Sequence, residues 1–183
     1  GTTTGEAVAA YDYTLSTNTL GSLLFEKLLS FDPTGLDITS DGGTVFTVDE
    51  TNDDMVAIPF NKSTGFGSLV KQGGFGTGDL HHPVRVSPND DFVIAADGTN
   101  NKIVAFPWDG SSLGSPVLSE ALGSDLRYFD WHPSQDFVLA SAKVSGSPDE
   151  QVLFALPWSG SFGSPGSSTV VTGEDTGRAP IAA

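Results

Sequence analysis

The chain has 183 residues, 38% of them hydrophobic, with 12 Phe, 3 Trp and no cysteine, so it can bury a core but can form neither a disulfide nor a thiolate metal site. Twenty-three Asp and Glu against eight Lys and Arg give a net charge of −15. Such a surface repels phosphate backbones and anionic lipids, so no nucleic acid and no membrane is expected as a partner.

From the N-terminus, Ala7-Val8-Ala9-Ala10-Tyr11-Asp12-Tyr13 and Leu23-Leu24-Phe25-Glu26-Lys27-Leu28-Leu29 predict two strands. A longer pattern then begins. Residues 35–39 predict a strand, Ser40-Asp41-Gly42-Gly43 a turn, and residues 44–48, 55–60 and 68–72 three further strands. The next segment repeats that order with 83–86, the turn Ser87-Pro88-Asn89-Asp90, then 92–96, 102–108 and 116–120. A third copy has 127–131, the turn His132-Pro133-Ser134-Gln135, then 137–142, 151–158 and 168–172. Arg178-Ala179-Pro180-Ile181 reads as the opening of another.

One phrase marks the repeat: Val56-Ala57-Ile58-Pro59-Phe60, Val104-Ala105-Phe106-Pro107-Trp108 and Phe154-Ala155-Leu156-Pro157-Trp158. Its prolines are 48 and 50 positions apart, the period of a β-propeller in which each repeat is one four-stranded antiparallel blade. The expected fold is therefore all-β, with units at 1–32 (the second half of a blade), 33–78, 79–124, 125–177 and 178–183. About three and a half blades fall short of the four to eight that close a ring, but twice that number is seven. A longer polypeptide, two chains completing one seven-bladed ring, or stacking through open edges would each resolve this. Proline cannot donate to a central ladder, so each is expected at a bulge or strand exit, with Phe60, Trp108 and Trp158 packing between blades.

Propellers bind ligands at one mouth of the central channel, where the loops around the innermost strands converge. His81 and His82 open one blade and Arg127 holds the corresponding place in the next. An imidazole beside a guanidinium suits acid–base chemistry and clamping of a carboxylate, although these residues could equally cap turns or pair with neighbouring Asp. Asp49-Glu50 and Asp97 end second strands and either face the channel or close polar turns with Asn52 and Asn100. His132, in a turn with Pro133, reads as structural. No zinc-ligand spacing or Ser-His-Asp pattern is present, so no metal and no cofactor is expected. Asn61-Lys62-Ser63 matches an N-glycosylation acceptor, and together with abundant Gly, Ser and Thr it points to a secreted protein.

His81-His82-Pro83-Val84-Arg85-Val86-Ser87-Pro88, followed by Phe92-Val93-Ile94-Ala95-Ala96-Asp97-Gly98, resembles the lactonase family of seven-bladed propellers, as does Arg127-Tyr128-Phe129-Asp130-Trp131-His132-Pro133. That family includes bacterial phosphogluconolactonase and the fungal carboxymuconate lactonizing enzyme, a carboxymuconate cyclase. The resemblance runs over most of residues 33 to 158 and implies a metal-independent hydrolase or isomerase acting on a small carboxylated lactone. It assigns His82, Arg127, His81 and Glu50 as catalytic candidates, and Arg85, Asp97 and Tyr128 as substrate contacts. The chain departs from the family at Tyr128, where His is usual, and at Ala142-Lys143, where an Asn-Glu pair is common. A non-catalytic extracellular propeller used for binding or assembly is the alternative.

Overall fold

A computed structural model describes residues 6–76, 83–143 and 151–166 and the short strand at 169–171. The first sheet is a hairpin of β1 (Ala7–Thr14) and β2 (Thr19–Leu28). The second contains β3 (Pro33–Ile38), β4 (Thr44–Asp49) and β5 (Asp54–Asn61), with the short β6 (Gly65–Phe66) and β7 (Val70–Gln72) both paired to β5. In the third, β8 (Arg85–Val86), β9 (Phe92–Asp97), β10 (Lys102–Pro107) and β11 (Val117–Leu118) lie in chain order, and so do β12 (Ser124–Trp131), β13 (Phe137–Lys143), β14 (Gln151–Pro157) and β15 (Thr169–Val171) in the fourth. Every pairing is antiparallel. The expected third strands are found. β12, however, starts before the expected Arg127, because register shifts near Leu126 let it follow β13 further. Among the described residues no helix is long and apolar enough to cross a membrane.

The hydrophobic core lies between the sheets. Strand side chains alternate between two faces, so Val93 and Ala95 of β9 join the cluster shared with the preceding sheet, whereas Ile94 and Ala96 join the cluster shared with the next. Val104 and Phe106 of β10 divide from Ile103 and Ala105 in the same way. A strand covered on both faces needs apolar residues at consecutive positions, which is why the central strands read as continuous hydrophobic runs rather than as an alternating pattern.

Turns between the first and second strands are built alike. Gly42, Asp90 and Gln135 have φ of 71°, 62° and 60°, and their N–H groups donate to the carbonyls of Thr39, Ser87 and His132 at 2.8, 2.9 and 2.7 Å. His132 is structural here, as expected: its Nδ1 lies 2.7 Å from Ser134 Oγ and its ring stacks on Phe137 with centroids 4.2 Å apart.

The repeated prolines end the ladders. Pro59, Pro107 and Pro157 stand opposite Thr44, Phe92 and Phe137, the first residues of the neighbouring strands. Their carbonyls accept hydrogen bonds from the N–H groups of Gly67, Gly114 and Gly163 at 2.7, 2.8 and 2.8 Å. In an antiparallel strand a residue's N–H and C=O point to the same side, so the missing donor faces the return loop, where the regular ladder has stopped. Each glycine lies against the proline ring: a Cβ on Gly114 would come within 3.1 Å of Pro107 Cβ and Cγ. Phe66-Gly67-Ser68, Leu113-Gly114-Ser115 and Phe162-Gly163-Ser164 thus form a second repeated signature, coupled to the first.

The aromatic after each proline is locked by its own N–H, which donates to the carbonyl of Gly43, Asp91 or Asp136 at 2.8, 2.7 and 2.7 Å. Each ring then meets the preceding sheet edge-on. Phe60 lies 6.0 Å from Phe25, Trp108 lies 5.2 Å from Phe46, and Trp158 lies 4.9 Å from Phe92. Such contacts add about 0.5–1.5 kcal/mol beyond area burial. Trp108→Ala is therefore expected to cost about 3–5 kcal/mol of stability, read from urea unfolding. A loss below about 1 kcal/mol would show that this junction is not tied by the indole.

Candidate functional site

Successive sheets approach through their first strands, β3 beside β8 and β8 beside β12, so these strands form the inner side of the array. Asp37, Arg85 and Asp130 occupy one position in the three of them, two residues before the turn-opening Thr39, Ser87 and His132. Asp37 uses Oδ1 to accept the N–H of Ile38 at 2.9 Å and Oδ2 to accept the N–H of Val86, on the next sheet, at 2.8 Å. Asp130 repeats the local half of this arrangement with the N–H of Trp131 at 2.8 Å. Arg85 Nε lies 3.7 Å from Asp130 Oδ1, its Nη1 donates to the Val84 carbonyl at 2.8 Å, and its own carbonyl accepts from Trp131 Nε1 at 3.3 Å. Burial pushes the Asp130 carboxyl above its ordinary value and the charge of Asp37 adds to this, while the Trp131 N–H and the Arg85 guanidinium oppose it.

A second layer lies further along the same strands. Arg127 precedes Asp130 by three residues, roughly 10 Å along an extended strand, and is exposed. Tyr128 is half-buried and pairs with Ser141. This end of β12 lies beside the end of β13, as Pro33 of β3 lies beside Asp49 of β4, so Arg127 and Tyr128 share an end of the fold with Glu50 and Asp97. Glu50 is half-buried, and its N–H donates to the Asp32 carbonyl at 3.3 Å. His81 and His82 lie outside the described residues. Among the described residues, no group of three or more His, Asp or Glu is placed to hold a metal ion.

Asp97 and Asp49 turn their oxygens into the loops that follow them. Both oxygens of the buried Asp97 accept from Asn100 Nδ2, at 3.1 and 2.9 Å, and Oδ1 also takes the Asn100 N–H at 3.0 Å. Asp49 repeats the arrangement with Asn52, and its carboxylate also receives Lys71 Nζ. These contacts make Asp-x-x-Asn a turn-closing unit, the reading in which such carboxylates close polar turns. Where β13 ends in Ala142-Lys143, the unit is absent. The residues that sequence reasoning passed over are Asp37 and Asp130. Their signal was available, since both align with Arg85 when the three turns are superimposed.

No protein-family model matches the chain, and no curated protein matches it either. Solved structures do. A periplasmic gluconolactonase from Pseudomonas aeruginosa is 20% identical with a TM-score of 0.61, over 88% of this chain and 47% of that one. A protein from Lactobacillus plantarum is 21% identical with a TM-score of 0.65, over 92% and 50%. Hydrazine synthase from Kuenenia stuttgartiensis is 13% identical with a TM-score of 0.63, over 90% and 43%.

The fold is that of a β-propeller. The chain spans about half the length of these three structures, and the propeller likeness extends to proteins with unrelated names, as expected of a scaffold that hosts many chemistries.

Burial opposes ionisation of Asp49, but the hydrogen bonds and charge of Lys71 and the donors of Asn52 outweigh it and hold the carboxyl below its ordinary value of 3.8. A carboxyl lowered in the native state stabilises the fold fully above its unfolded pKa, and that contribution is lost as pH falls through the lower native value. Asp49→Ala is expected to cost about 1–3 kcal/mol at pH 7, with the deficit narrowing below about pH 4. Urea unfolding of both proteins at pH 7 and pH 3 checks this, and a deficit of equal size at both would remove the carboxylate as its cause.

Proposed function

We propose that the protein is an extracytoplasmic, lactonase-like propeller that opens or closes a small carboxylated lactone at the channel mouth, without a metal. The observation that carries this reading is Arg127, an exposed residue on the inner strand of a propeller that resembles gluconolactonase in fold. A guanidinium can hold a substrate carboxylate in two-pronged geometry. His82, which the sequence places at the corresponding position one blade earlier, supplies the imidazole for proton transfer to or from the lactone oxygen. Glu50 and Tyr128, at the same end of the fold as Arg127, are the further polar groups that this reading assigns to the mouth.

Export is supported by the periplasmic gluconolactonase among the structural neighbours and by the position of Asn61. It is exposed at the end of β5, and its Oδ1 accepts the Ser63 N–H at 2.8 Å in a turn open to solvent.

One observation favours a second reading, a propeller that binds or assembles without catalysis. Lys143 takes the place at the end of β13 where the lactonase pattern has a carboxylate, so a base there is replaced by an ammonium.

Hydrolysis of carboxylated lactones of five- and six-membered rings, followed by proton release, separates the readings. His82→Ala should lower kcat by roughly 10²–10⁴-fold. Arg127→Ala should raise KM for carboxylated lactones and leave uncarboxylated ones unaffected. Turnover unchanged in both variants, with cooperative unfolding retained, would overturn the lactonase assignment and leave the non-catalytic one.

A further inference from the structure

We infer that Asn61 carries an N-linked glycan, a modification that rests on the export proposed above, because the transferase and its oligosaccharide donor act on exported chains. The chain contains six asparagines, and Asn61-Lys62-Ser63 is the one place where an Asn is followed by a residue other than proline and then by Ser or Thr. In the structure this triplet is a built turn. The Thr64 N–H donates to the Asn61 carbonyl at 3.2 Å, the Ser63 N–H donates to Asn61 Oδ1 at 2.8 Å, and Gly65, with φ of 83°, pairs with Asn61 to start the return strand β6. Asn61, Lys62, Ser63 and Thr64 are all exposed.

The turn leaves one atom of the amide over. Oδ1 is held by the Ser63 N–H, whereas Nδ2 makes no hydrogen bond among the described residues. Elsewhere such amides are consumed: Nδ2 of Asn52 donates to Asp49, that of Asn100 to Asp97 and that of Asn89 to Asp91. The places corresponding to Asn61 in the next two sheets are Asp109 and Ser159, each directly after the proline-aromatic pair and two residues before a serine, Ser111 or Ser161. Asp109 closes its turn with the same bond to Oδ1 from the Ser111 N–H, at 2.8 Å, and its second oxygen accepts from Ser112 Oγ at 2.6 Å. A carboxylate therefore suffices to build this turn. An amide keeps the turn-closing oxygen and adds a nitrogen for which the turn has no use, and that nitrogen is the atom the modification needs.

In the transfer, Nδ2 attacks the anomeric carbon of an oligosaccharide carried on a polyprenyl diphosphate. The bond from that carbon to the diphosphate oxygen breaks with its electron pair leaving on the diphosphate, one Nδ2 proton passes to the transferase, and an N-glycosidic bond forms. The native fold accommodates the product. Asn61 lies past Pro59, where the ladder between β4 and β5 has ended, and Asp54 at the other end of β5 is seven residues away, roughly 23 Å along an extended strand. Asp54 pairs with Asp49, so the glycan stands at the opposite end of the sheet from Asp49 and Glu50 and leaves the mouth assigned to Arg127 open.

The test is peptide mass spectrometry on the protein recovered from the cells that naturally make it, separated into exported and retained pools and treated with a peptide-N-glycosidase in heavy-oxygen water. The exported pool should show a heavy-oxygen aspartate at position 61 and leave the other asparagines unlabelled. Exported protein with Asn61 unmodified would overturn the glycan and leave the export reading standing, whereas unmodified protein found only in the retained pool would overturn both. Variants locate the attachment. When the chain is secreted by a eukaryotic host behind a cleavable signal sequence, Asn61→Gln and Ser63→Ala should each abolish the glycan and Ser63→Thr should keep it. Attachment is read on the polypeptide, so the result stands even where a variant fails to fold. A glycan that survives Asn61→Gln would overturn the assignment to this turn.

Discussion

The whole array depends on how a third strand ends. Pro59, Pro107 and Pro157 stop the outward ladder where their missing N–H would have faced the next strand, and a glycine from the return loop closes over each ring. The aromatic that follows is held by its own N–H and is aimed into the preceding sheet, where it meets Phe25, Phe46 or Phe92. Strand termination and sheet-to-sheet docking are therefore one event. A change at the proline, the glycine or the aromatic alters both, since the loop path and the ring position are set by the same few atoms.

Polar contacts at the inner strands work differently. Asp37 satisfies its own strand with one oxygen and the next strand with the other, which fixes the relative height of adjacent sheets at little energetic cost, since the N–H groups at an inner edge would otherwise face water. Arg85 interrupts this series, and the result is a cation between two carboxylates in a region where bulk solvent is partly excluded. The layer is structural in its hydrogen bonds. The chemistry proposed for Arg127 lies in the other layer, towards the opposite ends of the strands, so the supporting contacts and the reactive groups are separated along the strands.

Surface apolarity is uneven in a way the acidic composition conceals. A net charge of −15 keeps most of the surface hydrated, yet the two terminal faces carry tyrosine, leucine and alanine at positions that elsewhere form the core. In a repeat architecture each unit buries its faces only against neighbours, so the outermost units either carry polar caps or meet another unit.

Strand order, turn positions and the inter-sheet role of Phe60, Trp108 and Trp158 were legible from the sequence. They follow from a period near 50 residues and from local chemistry: apolar runs, turn residues and a proline before an aromatic. His132 as a turn residue and Asp97 closing a turn with Asn100 were legible for the same reason, because their partners lie within three residues. What only the tertiary structure decided are the contacts between residues nearly a full repeat apart: Asp37 with Val86, Arg85 with Asp130, and Trp131 Nε1 with the Arg85 carbonyl. Their formation depends on the relative height and rotation of adjacent sheets, which arises from packing the side chains between them to near-crystalline density. No local pattern carries that quantity, so the sequence could specify the repeat while the position of one repeat against the next emerged only on folding.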